Sequence, residues 1–292
     1  MSSFHLAGYI MQQGNDRKNR AFILVVATVP FLVACSGGSS SKVGDLEQSS
    51  AREIFEQGEL ELARGDANDA AGYFEEIERL FPYSEYAKRG LIMQAYAYHQ
   101  DREYDRSRAA AQRFLSIYPA DGDAAYAQYL LALSYYDQID DVGRDQGVTR
   151  DALKAFRDLF ERYPNSEYAR SAELKYDLAF DHLAAKEMEV GRYYLKRGHY
   201  ASAASRFRTV VEVFQTTSHT PEALHRLVES YLALGAVSDA QAAGAILGYN
   251  YRSSEWYEES YRLLAAQNLE AEARGDGWLT TIYRQTVRGE WL

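Results

Sequence analysis

The sequence predicts an all-α fold of about five helical hairpins stacked in a row. From Gln48 onward, apolar residues recur at spacings of three and four, which is the pattern of one buried helix face. The 292 residues include only five prolines but 24 tyrosines, so helix breakers are few and large core-filling side chains are many. Aromatic residues that end helices return at intervals of 37, 45, 51 and 35 residues, in the pairs Phe81-Pro82, Tyr118-Pro119, Tyr163-Pro164, Phe214-Gln215 and Tyr249-Asn250.

Several of these segments resemble one another and also resemble the tetratricopeptide repeat, a unit of about 34 residues made of two antiparallel helices. In each of them a first helix leads through a glycine to a second helix rich in alanine, and the glycines are Gly65, Gly198 and Gly235. Glycine readily adopts the left-handed conformation that ends a helix. Because a single repeat cannot bury its own apolar face, we expect residues 48–250 to form one tetratricopeptide-repeat solenoid.

The two longest intervals indicate departures from the regular unit. The 45-residue interval leaves room for an insertion, and residues 139–148, which are rich in acidic residues and glycine, supply it. The 51-residue interval predicts an additional or elongated helix between Ser166 and Lys186. After the repeats, residues 251–292 are predicted to form one more helix, to about Ala273, and a tail.

Two junctions between predicted helices, residues 82–87 and 164–169, share nearly the same six residues. In each, proline stops one helix, the serine two positions later caps the next helix, and the following glutamate favours its first turn. The shared motif therefore predicts the same helix start in two repeats.

Residues 1–34 are predicted to be a lipoprotein signal peptide. Basic residues precede an apolar stretch, residues 21–34, which is followed by Cys35, the single cysteine of the chain. The residues Leu32-Val33-Ala34-Cys35 resemble the bacterial lipobox, so we expect a lipid on Cys35 and a flexible tether over 35–47. The alternatives are a cleaved soluble export signal and a membrane-spanning helix beside a chance cysteine. The natural start is either Met1 or Met11.

The sequence offers no chemistry typical of an enzyme or of a cofactor. The net charge of −10 argues against nucleic-acid binding, and neither a phosphate-binding glycine loop nor a zinc-protease motif occurs. The spacing of His219 and His225 is poor for metal ligands on one helix face, and we expect both to be solvated. The acidic cluster Asp137, Asp140, Asp141 and Asp145 does not follow the EF-hand pattern and is expected to be a solvated loop.

Four segments carry a closer resemblance, to the BamD (ComL) family of outer-membrane lipoproteins: residues 79–83, 113–119, 155–168 and 190–198. The resemblance implies a scaffold of the β-barrel assembly (BAM) machinery, anchored by lipid on the periplasmic face of the outer membrane. It also implies three kinds of partner, which are the periplasmic domains of BamA, other BAM lipoproteins and unfolded outer-membrane β-barrel proteins.

The same resemblance implies two binding surfaces. In the amino-terminal repeats, the residues that would bind the substrate signal are Phe81, Tyr83 and Tyr86, since an aromatic pocket suits signals that end in aromatic residues. Packing between the first two repeats is the alternative for all three. In the carboxy-terminal repeats, Arg206 matches a family arginine that contacts BamA, and Arg208 and Arg197 are expected to join it on one exposed face.

Two other classes of repeat protein compete with this interpretation. One is a periplasmic adaptor, such as the Tol-associated coordinator of envelope constriction and wall synthesis, which often has an amino-terminal coiled coil. No heptad pattern precedes the first repeat here. The other is a substrate-binding subunit of a wall hydrolase, which would need an enzyme partner.

Overall fold

The computed structural model describes residues 46–273 and 277–287, with side chains described as far as residue 284. The predicted signal peptide, Cys35 and nearly all of the predicted tether lie outside these ranges. A short 3-10 helix, Leu46–Gln48, comes first. The α-helices of the described ranges, numbered α1 to α12, are Ala51–Arg64, Ala67–Leu80, Glu85–Gln100, Tyr104–Ile117, Ala124–Tyr136, Gly147–Arg162, Glu167–Lys196, Tyr200–Val213, Thr220–Leu234, Val237–Asn250, Glu255–Ala266 and Trp278–Val287.

The first ten helices form five consecutive hairpins. Within each hairpin the two helices pack together, and the second helix also packs against the first helix of the next hairpin. The part of the chain that the structure describes contains no strand. The all-α solenoid of five helical hairpins predicted from the sequence is therefore confirmed. Within the same described ranges, no helix combines the length and the apolar character needed to cross a membrane.

Turns inside the hairpins use the left-handed backbone. Gly65, Gly198 and Gly235 have φ values of 89°, 74° and 74°. Arg102 occupies the same place between α3 and α4 with φ 62°, although a side chain disfavours that conformation. The predicted role of the three glycines is confirmed, and the second hairpin makes the same turn without a glycine.

An aromatic residue ends the second helix of every hairpin. Its backbone N–H donates to the carbonyl four residues earlier, at 2.8 to 2.9 Å, and the five residues are Phe81, Tyr118, Tyr163, Phe214 and Tyr251. The fifth differs from the prediction, which placed the helix end at Tyr249. Since Tyr251 is the capping residue, the last interval is 37 residues rather than 35.

The seventh helix is about twice as long as its neighbours and joins two parts of the core. It spans 30 residues, so the elongated helix is the alternative that the structure supports. Ala169 and Ala172 of its first half belong to the core cluster of α3 to α7. Ala184 and Met188 of its second half belong to the cluster that continues to α12.

Two helices follow the last repeat. The eleventh packs against α9 and α10, as the first helix of a sixth repeat would. The twelfth packs on α10, and its Leu279 is fully buried. Its Trp278 Nε1 also donates to Oη of Tyr231, on α9, at 3.2 Å. The sequence predicts one helix and a tail here, whereas the described part of this region contains a second helix.

Candidate functional site

The junction between α2 and α3 carries the three aromatic residues predicted to bind a substrate signal. Phe81 is half-buried and packs against the first core cluster. Tyr86 is also half-buried, with its ring centroid 5.5 Å from that of Phe55 on α1. Tyr83 differs from both, because its side chain is fully exposed, at 101 % relative accessibility. Two of the aromatic residues therefore join neighbouring hairpins, and the third is presented to solvent.

An arginine that was not among the predicted site residues lies beside these rings. The guanidinium carbon of Arg89, on α3, lies 4.5 Å from the ring centroid of Phe55 and 5.8 Å from that of Tyr86. An arginine over an aromatic face is held in place by the ring electrons. The arginine follows Tyr86 by three residues, which is one helical turn, and this spacing was the available signal.

The three arginines predicted to contact a partner do not share one face. On α8, Arg206 Nη1 lies 3.1 Å from Glu187 Oε2 of α7 and remains partly exposed. Arg208 points elsewhere, because residues two apart on a helix project about 200° from each other. The structure brings Arg206 to the α7 side of α8 and not to the same place as Arg208.

Arg208 and Arg197 each stack on an aromatic ring. The guanidinium carbon of Arg208 is 4.5 Å from the ring centroid of Trp278, on α12, and its Nε donates to Glu212 Oε1 at 2.8 Å. Arg197, which ends α7, lies 4.2 Å from the ring of Tyr193. Along the helix axis, Arg197 stands about 15 Å beyond the glutamate that pairs with Arg206. Arg206 and Arg208 are both partly exposed, at 45 % and 46 % of their side-chain surface, and Arg206 is the one whose charge bridges the two helices of the fourth hairpin.

One of the two histidines expected to be solvated is buried, so that prediction is wrong for His225. Its side chain is 3 % exposed, its Nδ1 lies 2.9 Å from Ser260 Oγ, and its ring packs 5.3 Å from Trp256. Burial lowers the pKa of His225, because the enclosed ring loses the solvation of its charged form. His219 instead pairs with Asp181 of α7, at 3.2 Å. The two histidines thus belong to different contacts between helices.

The acidic connection between α5 and α6 is organised by its own backbone. Asp141 accepts from Gly143 N at 2.8 Å, and Asp145 accepts from Gly147 N at 2.9 Å. The carboxylate of Asp140 pairs with Arg144 at 3.0 Å. Among the described residues, no group of three histidine, cysteine, aspartate or glutamate side chains is arranged to hold a metal ion.

A solenoid of helical hairpins that presents aromatic and charged side chains between its repeats defines the class of a tetratricopeptide-repeat protein, and such solenoids use extended surfaces for binding. The family model described as "YfiO: Outer membrane lipoprotein" matches residues 47–246, and the chain belongs to this family.

Relatives named "Outer membrane protein assembly factor BamD" confirm the resemblance predicted from the sequence. The Caulobacter vibrioides protein is 45 % identical and is aligned over 86 % of this chain and 82 % of its own length. The Rickettsia prowazekii protein is 41 % identical over 72 % of this chain and 84 % of its own length. Among solved structures, a thermophilic tetratricopeptide-repeat protein of Thermus thermophilus aligns over 75 % of this chain and 100 % of its own, with a TM-score of 0.35 and 18 % identity.

Proposed function

We propose that this chain is a scaffold subunit of the β-barrel assembly machinery, anchored by lipid on the periplasmic face of the outer membrane. The observation that carries the proposal is the match of residues 47–246, nearly the whole repeat domain, to one family of outer membrane lipoproteins. Relatives named as outer membrane protein assembly factors support it. The chain would bind the periplasmic domains of BamA, other BAM lipoproteins and unfolded barrel proteins, and it would position them without catalysing a reaction.

Anchoring is assigned to the single cysteine. Cys35 directly follows the apolar stretch of the predicted signal peptide, and acyl chains attached there would hold the protein on the membrane. The test is labelling with a clickable palmitate analogue, comparing the wild type with Cys35→Ala. The label should appear on the wild type alone, and equal labelling of the variant would remove Cys35 from this role.

Binding of the substrate signal is assigned to the exposed side of the α2–α3 junction. Tyr83 offers a free aromatic ring, and Arg89 offers a cation held over the rings of Phe55 and Tyr86. A barrel strand that ends in an aromatic residue presents a ring and a terminal carboxylate, which match this ring and this cation. Phe81 and Tyr86 would contribute by fixing the shape of the junction.

A labelled peptide with the C-terminal strand of a barrel protein tests this assignment by fluorescence anisotropy. Tyr83→Ala and Arg89→Ala should each weaken binding about tenfold, since a central aromatic or arginine contact contributes roughly 1 to 2 kcal/mol. Asn165→Ala is the matched control, because Asn165 holds the corresponding position of the α6–α7 junction. Amidation of the peptide terminus should weaken binding to the wild type and have little effect on Arg89→Ala. Equal affinity for all variants would contradict the assignment.

Contact with BamA is assigned to Arg206. Its guanidinium bridges α8 to α7 through Glu187 and keeps 45 % of its side-chain surface exposed. An arginine positioned in this way can meet a carboxylate of a partner through its remaining N–H groups. Arg208 and Arg197 would act as flanking charges at different places on the carboxy-terminal repeats.

A detergent pull-down of the mature protein tests this second contact, with bound proteins identified by mass spectrometry. Arg206→Glu should reduce recovery of the large barrel subunit, and Arg157→Glu, on the exposed face of α6, is the control for charge. The double variant Glu187→Arg/Arg206→Glu restores the internal bridge with reversed polarity. If that double variant recovered full binding, Arg206 would support binding only through its bridge to Glu187 and not through a direct contact with the partner. Recovery of wall-synthesis proteins without a barrel subunit would overturn the proposed function.

A further inference from the structure

The amino-terminal half of α7 has no partner helix of its own hairpin. The helix has 30 residues, about 45 Å, whereas α8 has 14 residues, about 21 Å. Helix α8 covers the carboxy-terminal half of α7, since Arg206 reaches Glu187 and the ring of Phe207 lies against Gly191. A Cβ atom added at Gly191 would come within 2.5 Å of that ring. In the other four hairpins of the described chain, the two helices differ by at most three residues.

Two large apolar side chains are exposed along this uncovered part. Leu174 is 69 % exposed and Leu178 is 51 % exposed. Residues four apart lie on the same side of a helix, so the two leucines form one apolar stripe. Exposed leucines are ordinary when single, but adjacent ones beside cavities indicate a binding surface.

Cavities lie on both sides of Leu178. The larger, about 600 Å³, is bounded by the α5–α6 connection and includes Ile139 and Val142 in its wall. The smaller, about 370 Å³, is bounded by the turn between α8 and α9. Leu178 and Asp181 line both cavities, so they form a ridge between them.

Acidic side chains line the two cavities beside this ridge. Among the described residues, the lining of the cavities contains one histidine, His182, and no lysine or arginine, and its four aspartates are Asp137, Asp140, Asp177 and Asp181. Three of these aspartates also pair within the chain, Asp137 with His99, Asp140 with the exposed Arg144, and Asp181 with His219. An apolar stripe between acidic cavities is complementary to an apolar segment flanked by cations.

We propose that this surface, formed by Leu174, Leu178 and the two flanking acidic cavities and called here the α7 ridge, binds an amphipathic helix of a protein partner whose apolar face is flanked by lysine or arginine. The bound helix would take the place of the partner helix that α8 is too short to supply, and its apolar side chains would enter the cavities beside Leu178. The site is separate from Tyr83 and from Arg206, so the proposal does not depend on either of the contacts above.

A designed peptide provides the probe. It is a fluorescent 16-residue helix with leucine at every third or fourth position and lysines on both flanks, titrated against the full chain in mild detergent at about 0.1 M salt, where surface charges still interact over roughly 10 Å. Leu178→Glu should weaken binding at least tenfold. Leu60→Glu is the matched control, since Leu60 is an exposed leucine of α1, at 44 %, and this variant should bind within twofold of the wild type.

The charge requirement is tested separately. Asp177→Lys should weaken binding about threefold to tenfold, whereas Glu59→Lys makes the same change of charge at an exposed position of α1, away from the α7 ridge, and should have little effect. A peptide with glutamate in place of lysine should bind the wild type at least tenfold more weakly. Amide hydrogen exchange should show peptide-dependent protection over 174–182 and 139–146 and none over 54–62.

The outcomes separate the proposal from non-specific attraction to an acidic protein. Equal affinity for the lysine and glutamate peptides, equal loss in Leu60→Glu and Leu178→Glu, or protection away from the α7 ridge would each overturn it, as would no binding at millimolar peptide. Circular dichroism and thermal unfolding of each variant show whether the fold is intact. Because Leu178 is an exposed side chain, its replacement should leave the melting temperature nearly unchanged.

Discussion

The α2–α3 and α6–α7 junctions have nearly the same sequence and differ in one exposed side chain. Ser84 and Ser166 cap the following helices, and their Oγ atoms accept from backbone N–H groups three residues later at 3.1 and 3.0 Å. The position before each serine is Tyr83 at the first junction and Asn165 at the second. The shared residues therefore build the helix start, and the residue that differs is an exposed one.

The aromatic residue after each capping serine has a structural task at both junctions. Tyr86 packs on Phe55, and Tyr168 packs on two tyrosines of α5, with ring centroids 5.0 and 5.7 Å apart. A third junction, residues 252–257, repeats the arrangement with the cap Ser254 and with Trp256 packed on a histidine of α9. At all three junctions a packed aromatic residue follows the capping serine. At the first two, the residue that differs directly precedes the serine and is exposed.

The largest expected effect comes from removing these packed rings. Tyr168→Ala and Tyr86→Ala should lower the free energy of unfolding by roughly 2 to 4 kcal/mol, because each deletes a half-buried ring between hairpins. Tyr168→Ala should be the more damaging, since its ring contacts two others. Urea unfolding followed by circular dichroism measures both. A loss below about 0.5 kcal/mol for Tyr86→Ala would contradict the packing role assigned to Tyr86.

A smaller effect, equal at the two junctions, is expected from the caps. Ser84→Ala and Ser166→Ala should each cost about 1 kcal/mol of stability, because each leaves a helix-terminal N–H without its side-chain acceptor. Ser84→Asp and Ser166→Asp are the controls, since aspartate also caps helices. Unequal losses would show that the shared sequence does not give a shared helix start.

The third junction should respond to pH. Burial lowers the pKa of His225 below its usual value of 6.5, and Arg226 adds to this while Glu229 and Glu259 oppose it. The unfolded chain then binds a proton near pH 6.5 that the folded chain resists. Stability is fully present above pH 6.5 and is lost as pH falls through that value toward the lowered folded pKa.

His225→Gln tests this origin of the pH dependence. The variant should flatten the fall in stability between about pH 7 and pH 5. Part of the slope should remain, because burial also lowers the pKa of His99. His199→Gln, at an exposed position, is the control. An unchanged slope in His225→Gln would mean that the contact between Trp256 and His225 does not depend on protonation.

The fold could be predicted from the sequence because its signals are local and recur. Glycine turns, alanine-rich second helices and serine caps repeat along the chain, so each copy supports the others. The end of α10 was misplaced because Tyr249 and Tyr251 both fit the pattern. The choice between them depends on which backbone N–H reaches Leu247 O, and that is set by packing and not by composition.

The sequence indicated that aromatic residues gather at the α2–α3 junction, but not which of them are exposed. Tyr83 and Tyr86 are alike in sequence, but Tyr86 is half-buried and packs on Phe55, which lies 31 residues earlier in the chain. The buried state of His225 also depends on a distant residue, Trp256. The exposure of these side chains depends on contacts between hairpins. Local sequence patterns do not show such contacts, because they form only when the hairpins stack.

The smallest effect on stability, and the sharpest comparison, comes from exchanging the exposed residues. Tyr83→Asn and Asn165→Tyr should each change the free energy of unfolding by less than about 0.5 kcal/mol, because both side chains are exposed. Tyr83→Asn should still weaken binding of the barrel-strand peptide about tenfold, as Tyr83→Ala does.

Asn165→Tyr should not create a second binding site, because the α6–α7 junction has no cation at the position that corresponds to Arg89. The position that corresponds to Arg89 is Ser171, three residues after Tyr168, and at the third junction it is Glu259. A tyrosine alone supplies a ring but nothing for the terminal carboxylate of the peptide. The double variant Asn165→Tyr/Ser171→Arg supplies both on the same kind of helix start, and in a Tyr83→Asn background it should recover part of the lost affinity. If the single variant Asn165→Tyr recovered as much, the ring alone would define the site. If neither did, other residues around the first junction would be required as well.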